Sequence, residues 1–204
     1  MRALACLLLL AGCADVRSEP EVSPHVILVL PFVDQTGSSA FDGQEAATIM
    51  ASELVKAGYR VVRPARIDPA VATADEAIRA GRRLRADVVL ACAITQYDPY
   101  DPPKVAVAAQ FLRVEAGPRS GEDLDRMLQS ASWRKGPLSM SRDRAGHAMA
   151  AFEEVYDSRD RETRRALHEY VEGRAETERE ILAVQSRYLQ FVSNRMIQRV
   201  LHGS

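Results

Sequence analysis

Cysteine is scarce in this sequence. Only three of its 204 residues are cysteine, at positions 6, 13 and 92, and two of these fall at the start, which excludes a small scaffold stapled by disulfides. Cys92 sits in "DVVLACAIT", an apolar run in which a thiol behaves as a small buried hydrophobe. Histidine is equally thin. His25, His147, His168 and His202 fall one to an element, with no H-x-x-x-H or C-x-x-C spacing that would put two ligands on one face, so no metal site is expected. Excess charge is missing as well: a formal net charge of −1 removes a wholesale electrostatic partner such as nucleic acid. There is no G-x-S-x-G elbow, no glycine-rich phosphate loop and no dinucleotide fingerprint. No catalytic residue, cofactor or enzyme activity is therefore expected.

Long apolar runs are also lacking. The one at the start, Ala3 to Leu10 in "MRALACLLLLAGC", is far short of the roughly 20 residues that cross a bilayer. With Arg2 before it and Leu10-Ala11-Gly12-Cys13 after it, the segment reads as a secretory signal over residues 1–12. The tetrapeptide resembles the bacterial lipobox, which implies cleavage ahead of Cys13 and fatty acylation of its sulfur; the rival is an ordinary signal with an accidental cysteine. Residues 13–24, polar and carrying Pro20 and Pro24, then form a lipid-bearing tether. Two or three acyl chains hold a protein firmly at a membrane. Ala14, in place of the aspartate that resembles an inner-membrane retention signal, points to the outer membrane, on its periplasmic side.

What is present after residue 24 alternates strands and helices. "HVILVLPFV" reads as a strand buried on both faces, interrupted by Pro31. A helix over 42–57 follows, with Asp42 as its cap, Ala46, Ile49, Met50 and Leu54 on its apolar side and Gly58 at its end. Tyr59 to Val62 is a short strand. A second helix spans 73–85, started by Thr73 or Asp75, and leads into the buried strand "ADVVLACAITQ". From Val105, two sets alternate: Val105, Val107, Ala109 and Phe111 against Ala106, Ala108, Gln110 and Leu112, as for a sheet packed by helices on one side. The short connection makes the last two strands an antiparallel hairpin. The fold class is thus α/β, a β-α-β-α-β-β core over residues 25–117 and a helical extension over 118–204. In that extension the spacing predicts helices near Ser120 to Ala131, over 145–156 (Ala145, Met149, Phe152, Tyr156), over 160–171, and one long helix over 175–201 with Leu182, Leu189, Val192, Met196 and Val200 as its stripe.

Four features could carry function. Asp34 to Gly43, "DQTGSSAFDG", follows a strand and opens a helix, where backbone N–H groups can hold an anion, though such loops are more often tight connections. Glu153, Glu154 and Asp157 could be paired carboxylates, yet among the arginines that follow them they read as a solvated helix face laced by i,i+4 pairs. Arg79, Arg82 and Arg83, joined by Arg85, form a positive stripe, either merely solvated or meeting an acidic glycan or anionic headgroup. Lastly, the hairpin connection repeats itself: Tyr97-Asp98-Pro99, then Tyr100-Asp101-Pro102, then Pro103. One such signal closes a turn. Rigid tyrosines on a stiffened loop suit contact, which makes Tyr97 and Tyr100 candidate docking residues.

The lipobox, "VILVLPFVDQTG", "ELVKAGYRVV" and "RADVVLACAITQYDPYDPPKVAVAAQFLRVEAG" together resemble the periplasmic lipoproteins related to the curli secretion channel CsgG and the N-terminal domain of TolB, a circle that includes PelC-like lipoproteins of Pel exopolysaccharide export. The resemblance covers about Val26 to Gly117. It implies a non-enzymatic α/β module that packs side by side or docks on envelope machinery. The barrel-forming strands of the channel members have no counterpart here, so the expectation is an accessory or assembly subunit of an export apparatus, attached to the membrane through its lipid, with self-association or envelope proteins as partners. A glycan- or peptidoglycan-binding envelope regulator is the alternative, with the tyrosines as stacking faces.

Overall fold

Strand β1, Val26–Val29, buries nearly every side chain it has, as its unbroken apolar run requires. Pro31 has no N–H to give the ladder, and the strand stops before it and resumes as β2, Val33–Asp34. Both segments run parallel to β4, Val88–Asp98. Val29 faces Leu90 and Val33 faces Ala93, so the interruption absorbs one extra residue as a bulge does. The computed structural model describes residues 25–37, 41–62, 71–100, 102–115, 138 and 147–202. The signal, Cys13, the tether and the helix expected near Ser120 to Ala131 lie outside them.

Helix α1, Gly43–Lys56, is capped by Asp42, whose carboxylate accepts from the Gln44 and Glu45 N–H groups, an arrangement worth about 1 kcal/mol. Strand β3, Arg60–Val62, pairs with β1. Helix α2, Ala74–Arg83, begins with a full capping box between Thr73 and Glu76. The hydrogen bonds Glu76 accepts, first from the Ala72 backbone, hold its carboxyl below the usual range. Strand β5, Lys104–Arg113, returns antiparallel to β4.

The sheet continues past Gly117. In place of the helix expected over 145–156, Ala148–Asp157 is strand β6, antiparallel to β5; residues 145 and 146 lie outside the described residues. The helical spacing of Met149, Phe152 and Tyr156 was a coincidence. The period-2 pattern was hidden because Glu154 occupies a core-facing position between Phe152 and Tyr156, where the Tyr156 hydroxyl and Arg199 hold its carboxylate. Glu153 and Asp157 are likewise strand residues, bonded across the sheet to Thr95 at 2.9 Å and Lys104 at 3.8 Å, and not one face of a helix. The strand order is β3-β1-β4-β5-β6, with β2 beside β4.

Three helices follow: α3, Arg161–Val171, capped by Asp160; α4, Glu178–Ala183, capped by Thr177; and α5, Gln185–His202. The single long terminal helix of the sequence reading is broken at Val184, whose backbone is extended at φ −118° and ψ 112°. The break lets Ile181 and the set Tyr188, Phe191, Val192 and Met196 all reach the core. The sheet is covered on both faces, not one. Val105, Val107, Ala109 and Phe111 pack with α1, α3 and α5, while Leu112 joins α2, Leu28, Val89 and Leu138 on the other side.

Candidate functional site

The doubled tripeptide is two structures, not one repeated. In β4 the register slips between Ile94 and Gln96, which face Val107 and Ala106, so Thr95 is an extra residue. That bulge moves odd-numbered side chains onto the face that even-numbered ones occupied before it. Tyr97 therefore turns inward, pairs with Val105 and meets the Phe41 ring edge-on at 5.2 Å. Its hydroxyl is buried without a hydrogen-bond partner. Burial first, and the Glu45 charge second, push that hydroxyl up to about 12. Tyr97, expected as a docking residue, is half-buried and serves the packing of β4 on α1.

Tyr100 is the opposite case, 78% exposed. Its backbone N–H donates to Asp98 Oδ1 at 3.2 Å, an Asx turn that satisfies the chain at the bend. Pro103 is buried, and its carbonyl accepts from the Ser158 N–H at 3.1 Å. The adjacent Lys104 approaches Asp157 at 3.8 Å. The turn is thus tied to the end of β6 and the entry to α3, and Tyr100 projects from a braced support. Asp101 lies outside the described residues.

The arginines lie elsewhere. Arg79, Arg82 and Arg83 are exposed on α2. Arg82 and Arg83 are in its last turn, beside the start of β4, whereas Tyr100 follows the end of β4. The tyrosines and the arginine stripe do not form one surface. In the loop from Asp34, the Thr36 N–H and hydroxyl both bond Asp34 Oδ1, at 2.8 and 2.7 Å, and the Phe32 N–H donates to the Gly43 carbonyl at 3.0 Å. Residues 38–40 of it are outside the described residues. Cys92 is buried and its thiol is pushed up by burial. His147 bonds the Arg113 carbonyl at 2.9 Å and His168 bonds Glu178 at 2.8 Å, on separate elements. Among the described residues no group of three His, Cys, Asp or Glu could hold a metal ion, and no helix is long and apolar enough to cross a membrane.

Sequence reasoning missed one polar centre. Glu53 is 2% exposed, between α1 and α5, and its carboxylate takes Lys56 Nζ at 2.5 Å, Gln190 Nε2 at 2.8 Å and Asn194 Nδ2 at 3.2 Å. The signal was available: Glu53 falls on the apolar side of its helix, three residues after Met50. Nearby, Tyr156, Tyr170 and Tyr188 surround Phe191, and the Arg174 guanidinium stacks 3.9 Å above the Tyr170 ring. This cluster fastens the C-terminal helices to the sheet.

No family model and no curated protein matches the chain. Solved structures similar to it include the PelC dodecamer from Paraburkholderia phytofirmans, 14% identical over 90% of this chain and 91% of that one, with a TM-score of 0.45. The lipoprotein GNA1162 from Neisseria meningitidis is 16% identical over 74% of this chain and 95% of that one, at 0.42. The LpoB C-terminal domain from Salmonella enterica is 14% identical over 67% and 84%, at 0.45. PelC also stands in the sequence resemblance; the curli channel and TolB are not among these three. At TM-scores below 0.5 these likenesses bear on neither activity nor partner.

Proposed function

We propose that this chain is a non-enzymatic lipoprotein of the outer membrane, facing the periplasm, which acts as an accessory or assembly subunit of an export apparatus. The observation that supports this reading is the separation of its two ends. The segment carrying Cys13 joins the fold at Val26, level with the start of β4, and Tyr100 lies just past the other end of β4, whose 11 residues span roughly 35 Å. The lipid holds one end at the leaflet, and the braced tip is presented away from it to an envelope protein or a second copy.

Acylation is tested by feeding cells a clickable fatty acid: the wild-type chain should be labelled and fractionate with the outer membrane, and Cys13→Ala should be unlabelled and soluble. An unlabelled wild type, or a Cys13→Ala chain that fractionates unchanged, overturns the anchor. Size-exclusion with light scattering tests self-association. The glycan- or peptidoglycan-binding reading is favoured by the exposed ring of Tyr100, a stacking face on a rigid support. It requires isolated sacculi or acidic polysaccharide to retain the protein, and Tyr100→Ala to release it.

A further inference from the structure

The end of the sheet at which the tether enters carries a rim of arginines drawn from four separate elements or their flanks. In the parallel ladder Val26 faces Arg60, at the exposed start of β3. The Asp87 N–H donates to the Val26 carbonyl at 2.8 Å, and the Val114 N–H donates to the Asp87 carbonyl at 2.9 Å. These bonds set Arg60, Val26, Asp87 and Val114 in one row across the sheet. Arg113, the last residue of β5, lies beside Val88 in the next. Arg85 is two residues before Asp87, and Arg82 and Arg83 close the last turn of α2 just above it. Arg60, Arg82, Arg83 and Arg85 are exposed. Among the described residues, Glu115 and Asp87 stand against them, and the Asp87 carboxylate is already engaged, accepting from the Val26 N–H at 2.8 Å.

Arg82 and Arg83 by themselves would only suit the negative end of α2. Arg85 is not explained that way. Its φ is 56°, in the left-handed region that follows a helix and that glycine adopts without strain. An arginine there keeps its charge at the expense of local backbone strain.

We propose that this rim binds the anionic phospholipid headgroups of the bilayer that holds the tether. The proposal rests on the lipoprotein reading for its orientation: Cys13 is 12 residues before His25, a reach of at most about 40 Å, and the chain enters the domain at the arginine-bearing end. A reach of that length does not by itself decide which way the domain faces. Because screening confines such attraction to about 8 Å in physiological salt, the rim acts only when it sits on the surface. Seated there, it stands β4 upright and aims Tyr100 away from the leaflet.

The test uses the chain from residue 13 onward with Cys13→Ser, which removes the lipid and touches none of the described elements. It is sedimented with vesicles of phosphatidylglycerol and phosphatidylethanolamine, and with vesicles of phosphatidylcholine alone. Binding to the anionic vesicles only, lost in 0.5 M salt, is expected. Each arginine removed should weaken it about fivefold: Arg85→Gly by that factor while the melting temperature holds or rises, and Arg82→Gln with Arg83→Gln and Arg85→Gly about a hundredfold. Equal retention on both vesicles, or a triple variant that binds as before, overturns the proposal. So does tighter binding to an acidic polysaccharide, with the same arginine dependence, at matched charge concentration. A failed acylation shows instead as an unlabelled wild-type chain, which this lipid-free measurement leaves untouched.

Discussion

The two ends of β4 are built on different terms. At its start, where the tether joins, backbone and side chains interlock: Asp87 ties β1, β4 and the strand after it into one row. There too, Gly81 lets α2 lie so close that an added Cβ would stand 2.5 Å from Val114 and 2.8 Å from Val89; on the helical side of the sheet, Glu53 of α1 clasps α5. At its other end the chain is braced but not enclosed. Tyr97 buries a hydroxyl that nothing satisfies, and Tyr100 touches little but solvent. One end holds the fold, and the other is free to be used by something else.

Substitutions at the entry end and in the α1–α5 clasp should therefore cost stability, and those at the tip should not. Gly81→Val drives a branched side chain into Val89 and Val114 and should lower the unfolding free energy by about 3 kcal/mol, read from the urea midpoint. Glu53→Ala leaves the Gln190 and Asn194 amides without their acceptor and should cost about 2 kcal/mol. Asp87→Ala, which frees one backbone N–H near the edge of the core, should cost about 1 kcal/mol in the same titration. A fold that tolerates all three would erase the contrast.

The tip sharpens it. Tyr97→Phe should leave the protein unchanged or gain up to about 1 kcal/mol, since it removes a buried hydroxyl without a partner. The native hydroxyl titrates higher than an ordinary phenol, so it adds no pH dependence below pH 10 and lowers stability progressively as pH rises from 10 towards 12. Stability measured over that interval should fall less steeply in Tyr97→Phe, with Tyr156 and Tyr188, also pushed up by burial, keeping part of the slope. Tyr100→Ala should move the midpoint by less than about 0.5 kcal/mol. A Tyr100→Ala chain that unfolds like Glu53→Ala would make the tip a structural element after all.

Much of the fold was legible because its signals are local. Asp42, Thr73 and Asp160 announce helix starts, Pro31 interrupts a strand where the sequence places it, and the β4–β5 hairpin follows from its short connection. What escaped is what depends on partners far along the chain. β6 was hidden by an acid whose place on the core side makes sense only with Arg199 forty-five residues later. The Val184 break exists because Ile181 and Phe191 must face one core from two helices. At the candidate site the repeat was visible, but its division of labour was not: the bulge at Thr95 decides which tyrosine turns inward, and nothing in the alternation around it marks that residue.

Whether Tyr100 is a docking tip is decided by photo-crosslinking in cells that make the acylated full chain. A photoreactive amino acid is placed at position 100 and, as a control, at Val55, which is 55% exposed on α1, with adducts identified by mass spectrometry. Position 100 should join an outer-membrane or periplasmic protein, or a second copy of this chain, and position 55 should not. No adduct at 100, or the same adducts from both positions, would contradict it.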